Sequence, residues 1–231
     1  QKRAVGWGAF TGRHLSRLGG GKTGVWTMIM PGLSVNLSEL IFWTGLSYFI
    51  GSIPFGLLLA KAMGLGNLRN IGSGNIGATN VLRTGNKKAA ALTLALDAAK
   101  GAFAVALALS YSGEASAQIA AISALLGHCY PVWLRFQGGK GVATLLGVYY
   151  ALFWPLGLAA CATWLAAAAL FRFSSLAALI ATASAPIWTL LLGYPTMLVL
   201  CVSLAILVFW RHRSNILRLS KGQETKIGAK N

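Results

Sequence analysis

Three short stretches of this chain carry residues able to handle a phosphorylated substrate. "NIGSGNIGATNVLRTGNKK", residues 70–88, sets Gly72, Gly74 and Gly77 among Ser73, Asn75, Thr79, Asn80 and Arg83. "FQGGKGVAT", residues 136–144, places Gly138, Gly139 and Gly141 around Lys140. Glycine lets backbone amides approach an anion closely, and successive amides form an anion-binding nest. Short polar side chains add donors, and the planar fork of Arg83 matches a phosphate face. "ATNVLR" is expected to begin a short helix. The third stretch, "RHRSNILRLSKGQE", holds His212 and Asn215 three residues apart, on one helix face if the last apolar run continues into it. Together these residues suit a substrate that brings its own reactivity, such as an acyl phosphate. The protein would hold phosphate, aim a hydroxyl at a carbonyl and stabilise the oxyanion.

Other chemistries fit less well. Gly72, Gly74 and Gly77 spell a dinucleotide fingerprint, with Asp97 twenty residues beyond the last glycine. That fingerprint needs a strand before it and a βαβ unit around it, whereas here an apolar run of membrane length precedes it and Asp97 falls inside the next one. "GGGKT" at 19–23 is not a nucleotide-binding loop, because Ser16 stands where its first glycine belongs. The fifth residue after His128 is Trp133, so the H-x-x-x-x-D acyltransferase motif is absent, as is a G-x-S-x-G elbow. The only acids are Glu39, Asp97, Glu114 and Glu224, too few for paired carboxylates or a metal site, and no cofactor is expected. Cys129, Cys161 and Cys201 lie in separate apolar runs and read as packed thiols. Each loop has a plainer alternative: a flexible turn for the first, an ordinary loop for the second, a stop-transfer cluster for the third. Asp97 and Lys100, one turn apart within an apolar run, read as a buried structural pair that neutralises itself. His128 stays open between core hydrogen bonding and catalysis.

What positions these residues is a set of apolar runs. Charged residues make up 10% of the 231-residue chain. A soluble domain carries about 25%, so the chain reads as an all-α polytopic membrane protein. Spans are expected near 38–62, 89–111, 116–134, 142–153, 156–171, 174–192 and 195–210. Charge decides whether 142–171 is one span or two. With seven spans, the amino terminus outside and the carboxyl terminus cytoplasmic, Arg69, Arg83, Lys87, Lys88, Arg135, Lys140, Arg172 and the basic tail from about 211 all fall inside. The outside loops from residue 30 onward then hold no Lys or Arg, and the 112–115 turn has only Glu114. The formal charge of +16 suggests anionic lipid, nucleic acid or phosphorylated substrates, and of these a nucleic-acid partner is not expected. Residues 1–29, with Lys2, Arg3, Arg13, Arg17 and Lys22, break the charge pattern and lack apolar periodicity. They read as a non-native or misassigned extension before a single domain over 30–231.

In one order, "GSIPFGLLLAK", "NIGSGNIGATNVLRTGNKKAA", "LDAAKG", "GHCYPVWLRFQGGKGVAT" and "RHRSNILRL" resemble the PlsY family of bacterial acyl-phosphate:glycerol-3-phosphate acyltransferases, over roughly residues 38–227. The resemblance implies seven spans in the bacterial inner membrane and an active site on the cytoplasmic face. It implies transfer of a fatty acyl group from acyl phosphate to the 1-hydroxyl of sn-glycerol 3-phosphate, in phospholipid synthesis. By motif position, Ser73 and Arg83 match functional residues, and Lys140 lies in the loop whose glycines are tied to glycerol 3-phosphate. Ser175 matches a phosphate-contacting serine, with Ser174 as its rival. His212 and Asn215 match an essential pair, and Glu224 an acid linked to integrity. Gln137 departs from the lysine usual there. A transporter for an organic or lipid phosphate is the competing function. It is disfavoured by the absence of an internal repeat and by glycine loops at the membrane face.

Overall fold

The computed structural model describes residues 26–32 and 35–228, so all but the last four residues of the 1–29 extension lie outside the described residues. Every regular element among the described residues is helical: α1 (Trp26–Ile29), α2 (Leu37–Gly51), α3 (Phe55–Ala62), α4 (Ala78–Leu82), α5 (Lys87–Cys129), α6 (Val142–Leu152), α7 (Trp154–Phe171), α8 (Ser174–Leu191), α9 (Leu198–Arg211) and α10 (Arg213–Ser220). The expected all-α class is what the structure shows. The short α4 is the helix expected after the first glycine loop.

The helices follow the expected runs with two differences. The first is broken: α2 ends at Gly51 and α3 begins at Phe55. Pro54 has no amide hydrogen and restricts the residue before it. The second and third share α5, which reverses at Gly113 with a φ of 78°. Glycine adopts that backbone freely, and other residues do so only at a cost. A straight helix would hold Asp97 and His128 about 46 Å apart, at roughly 1.5 Å per residue. Instead His128 Nδ1 lies 3.8 Å from Asp97 Oδ1. The fourth run is short, as its expected bounds of 142–153 imply: α6 has 11 residues. Its length is about 16 Å, against a hydrocarbon core of about 30 Å. Among the described residues, four helices are able by length and composition to cross a membrane, or up to five if the bent pair of 195–211 and α10 counts as one.

Small residues let these helices approach one another. A Cβ on Gly51 would strike the Ala124 carbonyl, one on Gly127 the Tyr48 carbonyl, and one on Gly147 the Ala98 carbonyl. Such contacts are how apolar helices gain packing energy where lipid is as apolar as leucine. Many large apolar side chains turn outward instead, among them Leu37, Leu165, Leu170 and Ile206. The break between α2 and α3 frees backbone carbonyls that a hydrocarbon environment cannot satisfy. Trp133 Nε1 donates to the Ser52 carbonyl at 2.8 Å, and Lys100 Nζ to the Ile53 carbonyl at 2.6 Å. Asp97 neutralises Lys100 at 2.7 Å.

Contacts sort the connections into two groups. At one end, Glu114 Oε1 accepts from Thr196 Oγ1 at 2.8 Å, and the Phe153 and Tyr194 rings stack at 4.6 Å. At the other, Arg69 donates to the Gln137 carbonyl, Thr79 and Ser174 hydroxyls meet at 3.1 Å, and the Ile227 amide donates to the Arg172 carbonyl at 2.6 Å. Both glycine loops and the tail are in this second group.

Alanine normally stabilises a helix interior over glycine by about 0.5–1 kcal/mol. At Gly147 the added methyl meets a backbone carbonyl, and overpacking costs about 1–3 kcal/mol. Gly147→Ala is therefore expected to lower the unfolding midpoint of the detergent-solubilised protein, measured by intrinsic fluorescence. A raised midpoint would show that α5 and α6 do not pack this closely.

Candidate functional site

Asn80 organises the first glycine loop. It is 2% exposed, and its Nδ2 donates to the Leu68 carbonyl at 2.9 Å, which fixes the amide orientation. Its Oδ1 then accepts from the Ser73 amide at 3.1 Å and lies 3.4 Å from both the Ser73 hydroxyl and Arg83 Nη1. Gly72 (φ 51°) and Gly74 (φ 66°) take the left-handed backbone that folds the loop over Asn80, and a Cβ at Gly72 would strike Arg83. Only glycine enters that region without a steric cost. Gly77 caps α4 without needing that conformation, and Asn75 lies beside it. Ser73 stays exposed and Arg83 half-buried, so both can be reached from outside.

The second loop packs on the end of α5. The amides of Gly138 and Gly139 donate to the carbonyls of Cys129 and His128 at 3.1 and 3.0 Å. A Cβ on Gly138 would meet the His128 carbonyl, and one on Gly139 the His128 ring. Gly141 has φ 84° and faces Leu125 and Cys129. These contacts narrow one expectation. The amides of Ser73, Gly74, Gly138 and Gly139 are all engaged within the protein, Gly74 by the Ile71 carbonyl, rather than turned out as an anion nest. The glycines serve close approach of backbone, and the cations come from side chains. His128 is 5% exposed, with Nδ1 3.2 Å from Thr144 Oγ1, and so belongs to the buried Asp97–Lys100 cluster beneath this loop.

The tail closes the arrangement. The last span does not continue straight: α9 stops at Arg211, His212 caps it, and α10 leaves at a bend of 64°. The composition changes there from apolar all round to one-sided. His212 and Asn215 still share a side, at 2% and 4% exposure, because the bend turns both inward. Lys140 Nζ donates to Asn215 Oδ1 at 2.5 Å. Asn215 Nδ2 and Ser175 Oγ donate to Glu224 Oε1 at 2.6 and 2.7 Å, and Arg218 Nε to Oε2 at 2.6 Å. Ser175 thus faces the tail, whereas Ser174 turns to Thr79.

Electrostatics follow from this crowding. Burial, then Arg218, Arg211 and Arg83 working against the pull of Glu224, bring the Lys140 ammonium down to about 8. Burial alone would raise Glu224, but hydrogen bonds from Ser175, Asn215 and Arg218, with the Arg218 charge, hold it below the usual range. Desolvation disfavours the charged form of each group, and bonds made to the charged form oppose it. Burial brings His212 down to about 4; the Val208 carbonyl and Glu224 oppose this, and Lys140 and Arg211 add to it. His212 is therefore neutral at physiological pH. Its Nδ1 lies 2.8 Å from the Val208 carbonyl. A carbonyl only accepts, so Nδ1 carries the proton and Nε2 keeps its lone pair.

Sequence reading missed several members of this end of the molecule. Arg69 donates to the backbone carbonyl of Gln137, so the departure from lysine at that position leaves a main-chain contact in use. Arg211 reaches the carbonyls of Gly139 and Gly138 at 3.0 and 3.1 Å. Arg218 reaches Glu224. Only their positions in basic segments were visible, and nothing in a charge count distinguishes a solvated arginine from one holding backbone.

The chain is similar to known proteins over most of its length. Residues 41–222 match the family model described as glycerol-3-phosphate acyltransferase. A glycerol-3-phosphate acyltransferase of Ruegeria sp. (strain TM1040) is 59% identical over 202 residues, 87% of this chain and 100% of that one. One of Jannaschia sp. (strain CCS1) is 62% identical over 183 residues, 79% and 90% of the two chains. A crystal structure of PlsY (YgiH), an integral membrane glycerol 3-phosphate acyltransferase, in its glycerol 3-phosphate form, matches with a TM-score of 0.78 at 39% identity. It covers 82% of this chain and 96% of that one. The lysophosphatidic acid form of the same protein matches at 0.75 and 37%, with the same coverage. With its long apolar helices and this integral membrane neighbour, the chain is a multi-pass membrane protein, and it belongs to the glycerol-3-phosphate acyltransferase family.

Proposed function

We propose that this chain transfers a fatty acyl group from acyl phosphate to the 1-hydroxyl of sn-glycerol 3-phosphate, giving lysophosphatidate and phosphate. The observation that carries this reading is the gathering of Arg83, Arg211 and Arg218 around Lys140, with a single carboxylate, Glu224, among them and a neutral His212 beside it. Such a site has cationic capacity to spare and fits substrates that both bear phosphate. The PlsY neighbour was solved with glycerol 3-phosphate and with lysophosphatidic acid, molecules that differ by the acyl group. Acyl phosphate as donor rests on the motif resemblance. So do the bacterial inner membrane and the place in phospholipid synthesis, whereas the seven-span topology with its cytoplasmic carboxyl terminus rests on the loop charges as well. The gathering of both glycine loops and the tail at one end supports a site on one face of the membrane, and the loop charges support a cytoplasmic face.

In the reaction, the glycerol oxygen attacks the acyl carbonyl carbon. The new ester C–O bond forms as the bond from that carbon to the phosphate oxygen breaks, and the electron pair leaves with phosphate. Ser73, Arg83, Lys140 and Ser175 hold the phosphates, and cations nearby stabilise the leaving charge. His212 Nε2 accepts a hydrogen bond from the glycerol hydroxyl and aims it. Asn215, fixed between Lys140 and Glu224, bounds the same space. An imidazole held at about 4 is a weak base, so the hydroxyl proton passes to a phosphate oxygen. Asp97, Lys100 and Glu224 act structurally.

Ser73→Ala, Arg83→Ala and His212→Ala are each expected to lower the rate by about 10²–10⁴-fold. The assay is glycerol 3-phosphate-dependent phosphate release in membranes supplied with palmitoyl phosphate. Near-normal rates in all three would remove this site assignment. Use of acyl thioesters alone would overturn the donor, and transport of phosphate esters without release would favour the transporter.

The pH dependence has a definite sign. Lys140 is charged below about 8 and loses its proton above it, so phosphate affinity weakens on the alkaline side. KM for glycerol 3-phosphate is expected to rise above that pH in the wild type. Lys140→Arg, whose guanidinium stays charged, should carry a flat KM through the same range. A wild-type KM that stays constant far into the alkaline range would contradict the buried ammonium.

A further inference from the structure

Arg211 holds the second glycine loop more fully than any residue expected to meet substrate. Its Nε donates to the Gly139 carbonyl at 3.0 Å and its Nη2 to the Gly138 carbonyl at 3.1 Å. The guanidinium lies 4.8 Å from the centre of the Tyr130 ring, a cation–π distance. Tyr130 is itself tied down, since its carbonyl accepts from the Tyr48 hydroxyl at 2.7 Å. The amides of the same two glycines are bonded to the end of α5. Gly138 and Gly139 are therefore held at both N–H and C=O: one side by a helix end, the other by a single arginine. A flat fork satisfies two neighbouring carbonyls at once, and an ammonium on a flexible stem does not.

The next residue along is Lys140, whose ammonium meets Asn215. Asn215 lies four residues after Arg211, across the bend between α9 and α10. The same segment thus grips the loop twice, at its backbone and at its lysine. We propose that Arg211 is a positioning residue for acyl transfer: it fixes the Gly138–Gly139 backbone so that Lys140 presents its ammonium to substrate phosphate beside Asn215. This rests on the acyl-transfer reading of the site. It separates Arg211, committed to carbonyls and a ring, from Arg83, which remains open to ligand.

A double-mutant cycle separates this role from direct phosphate binding. Lys140→Gln, Arg211→Gln and the double variant are purified in detergent and assayed with palmitoyl phosphate and glycerol 3-phosphate. Arg211→Gln is expected to lower kcat/KM by roughly 10–100-fold, the scale of a misplaced catalytic group. Combined with Lys140→Gln, it should add little further loss. Arg211→Lys, which keeps charge but loses the fork, should be nearly as poor as Arg211→Gln. Multiplied losses in the double variant, or wild-type rates in Arg211→Lys, would overturn the proposal. A readout independent of turnover is the acetylation rate of Lys140 by a water-soluble succinimidyl ester, followed by mass spectrometry. Arg211→Lys should acetylate several-fold faster than wild type, and an unchanged rate counts against the clamp. If Arg211→Gln fails to fold, Tyr130→Leu loosens the same guanidinium and is read the same way. An inactive wild type would refute acyl transfer while the acetylation result still decides the clamp.

Discussion

One carboxylate holds the candidate site together. Glu224 takes hydrogen bonds from Ser175 at the start of α8 and from Asn215 and Arg218 on α10. By occupying the amide nitrogen of Asn215 it obliges the amide oxygen to face Lys140. Two helices and the second glycine loop therefore meet through a single acid. A carboxylate among so many cations stays ionised, and each donor it satisfies is fixed in direction. Without it Arg218 and Lys140 would repel each other across the same small volume.

A second constraint lies beneath the loops. An apolar surrounding leaves no water for a broken helix, so the carbonyls freed between α2 and α3 need donors from the protein. Lys100 and Trp133 supply them. Lys100 in turn needs a counter-ion, and Asp97 supplies it within the same helix. His128 borders this pair and also forms the surface on which Gly139 lies. The buried polar cluster and the second glycine loop thus share a residue. The Asp97–Lys100 pair is intelligible as the cost of breaking α2 from α3.

Glycine has two uses at the site. In the first loop Gly72 and Gly74 permit a left-handed turn that brings Ser73 and Arg83 to either side of Asn80. In the second, Gly138 and Gly139 allow backbone to lie directly on a helix end. In both, some amides are turned inward, those of Ser73, Gly74, Gly138 and Gly139, while Arg83 and Lys140 bring side-chain cations beside them. That division explains why residues from three separate segments converge.

The amino-acid sequence alone determined the helical membrane class, because so few charges cannot cover a water-facing surface and apolar runs of span length admit little else. It also pointed to the segments of the candidate site, since glycine beside Arg83 or Lys140, and His212 beside Asn215, are local patterns. The resemblance of five motifs in order named the family that the comparisons then showed. Other features depended on contacts between residues far apart in the chain. Pro54 marks a break, but only folding brings Lys100 and Trp133 to its carbonyls. Gly113 looks like any glycine until the two halves of α5 pack on each other. The roles of Asn80, Arg211 and Arg218 were illegible because a buried amide or a clamped guanidinium has the same letter as a solvated one. Tertiary structure decided these, for the physical reason that hydrogen bonds have direction, and direction is set by where distant backbone comes to rest.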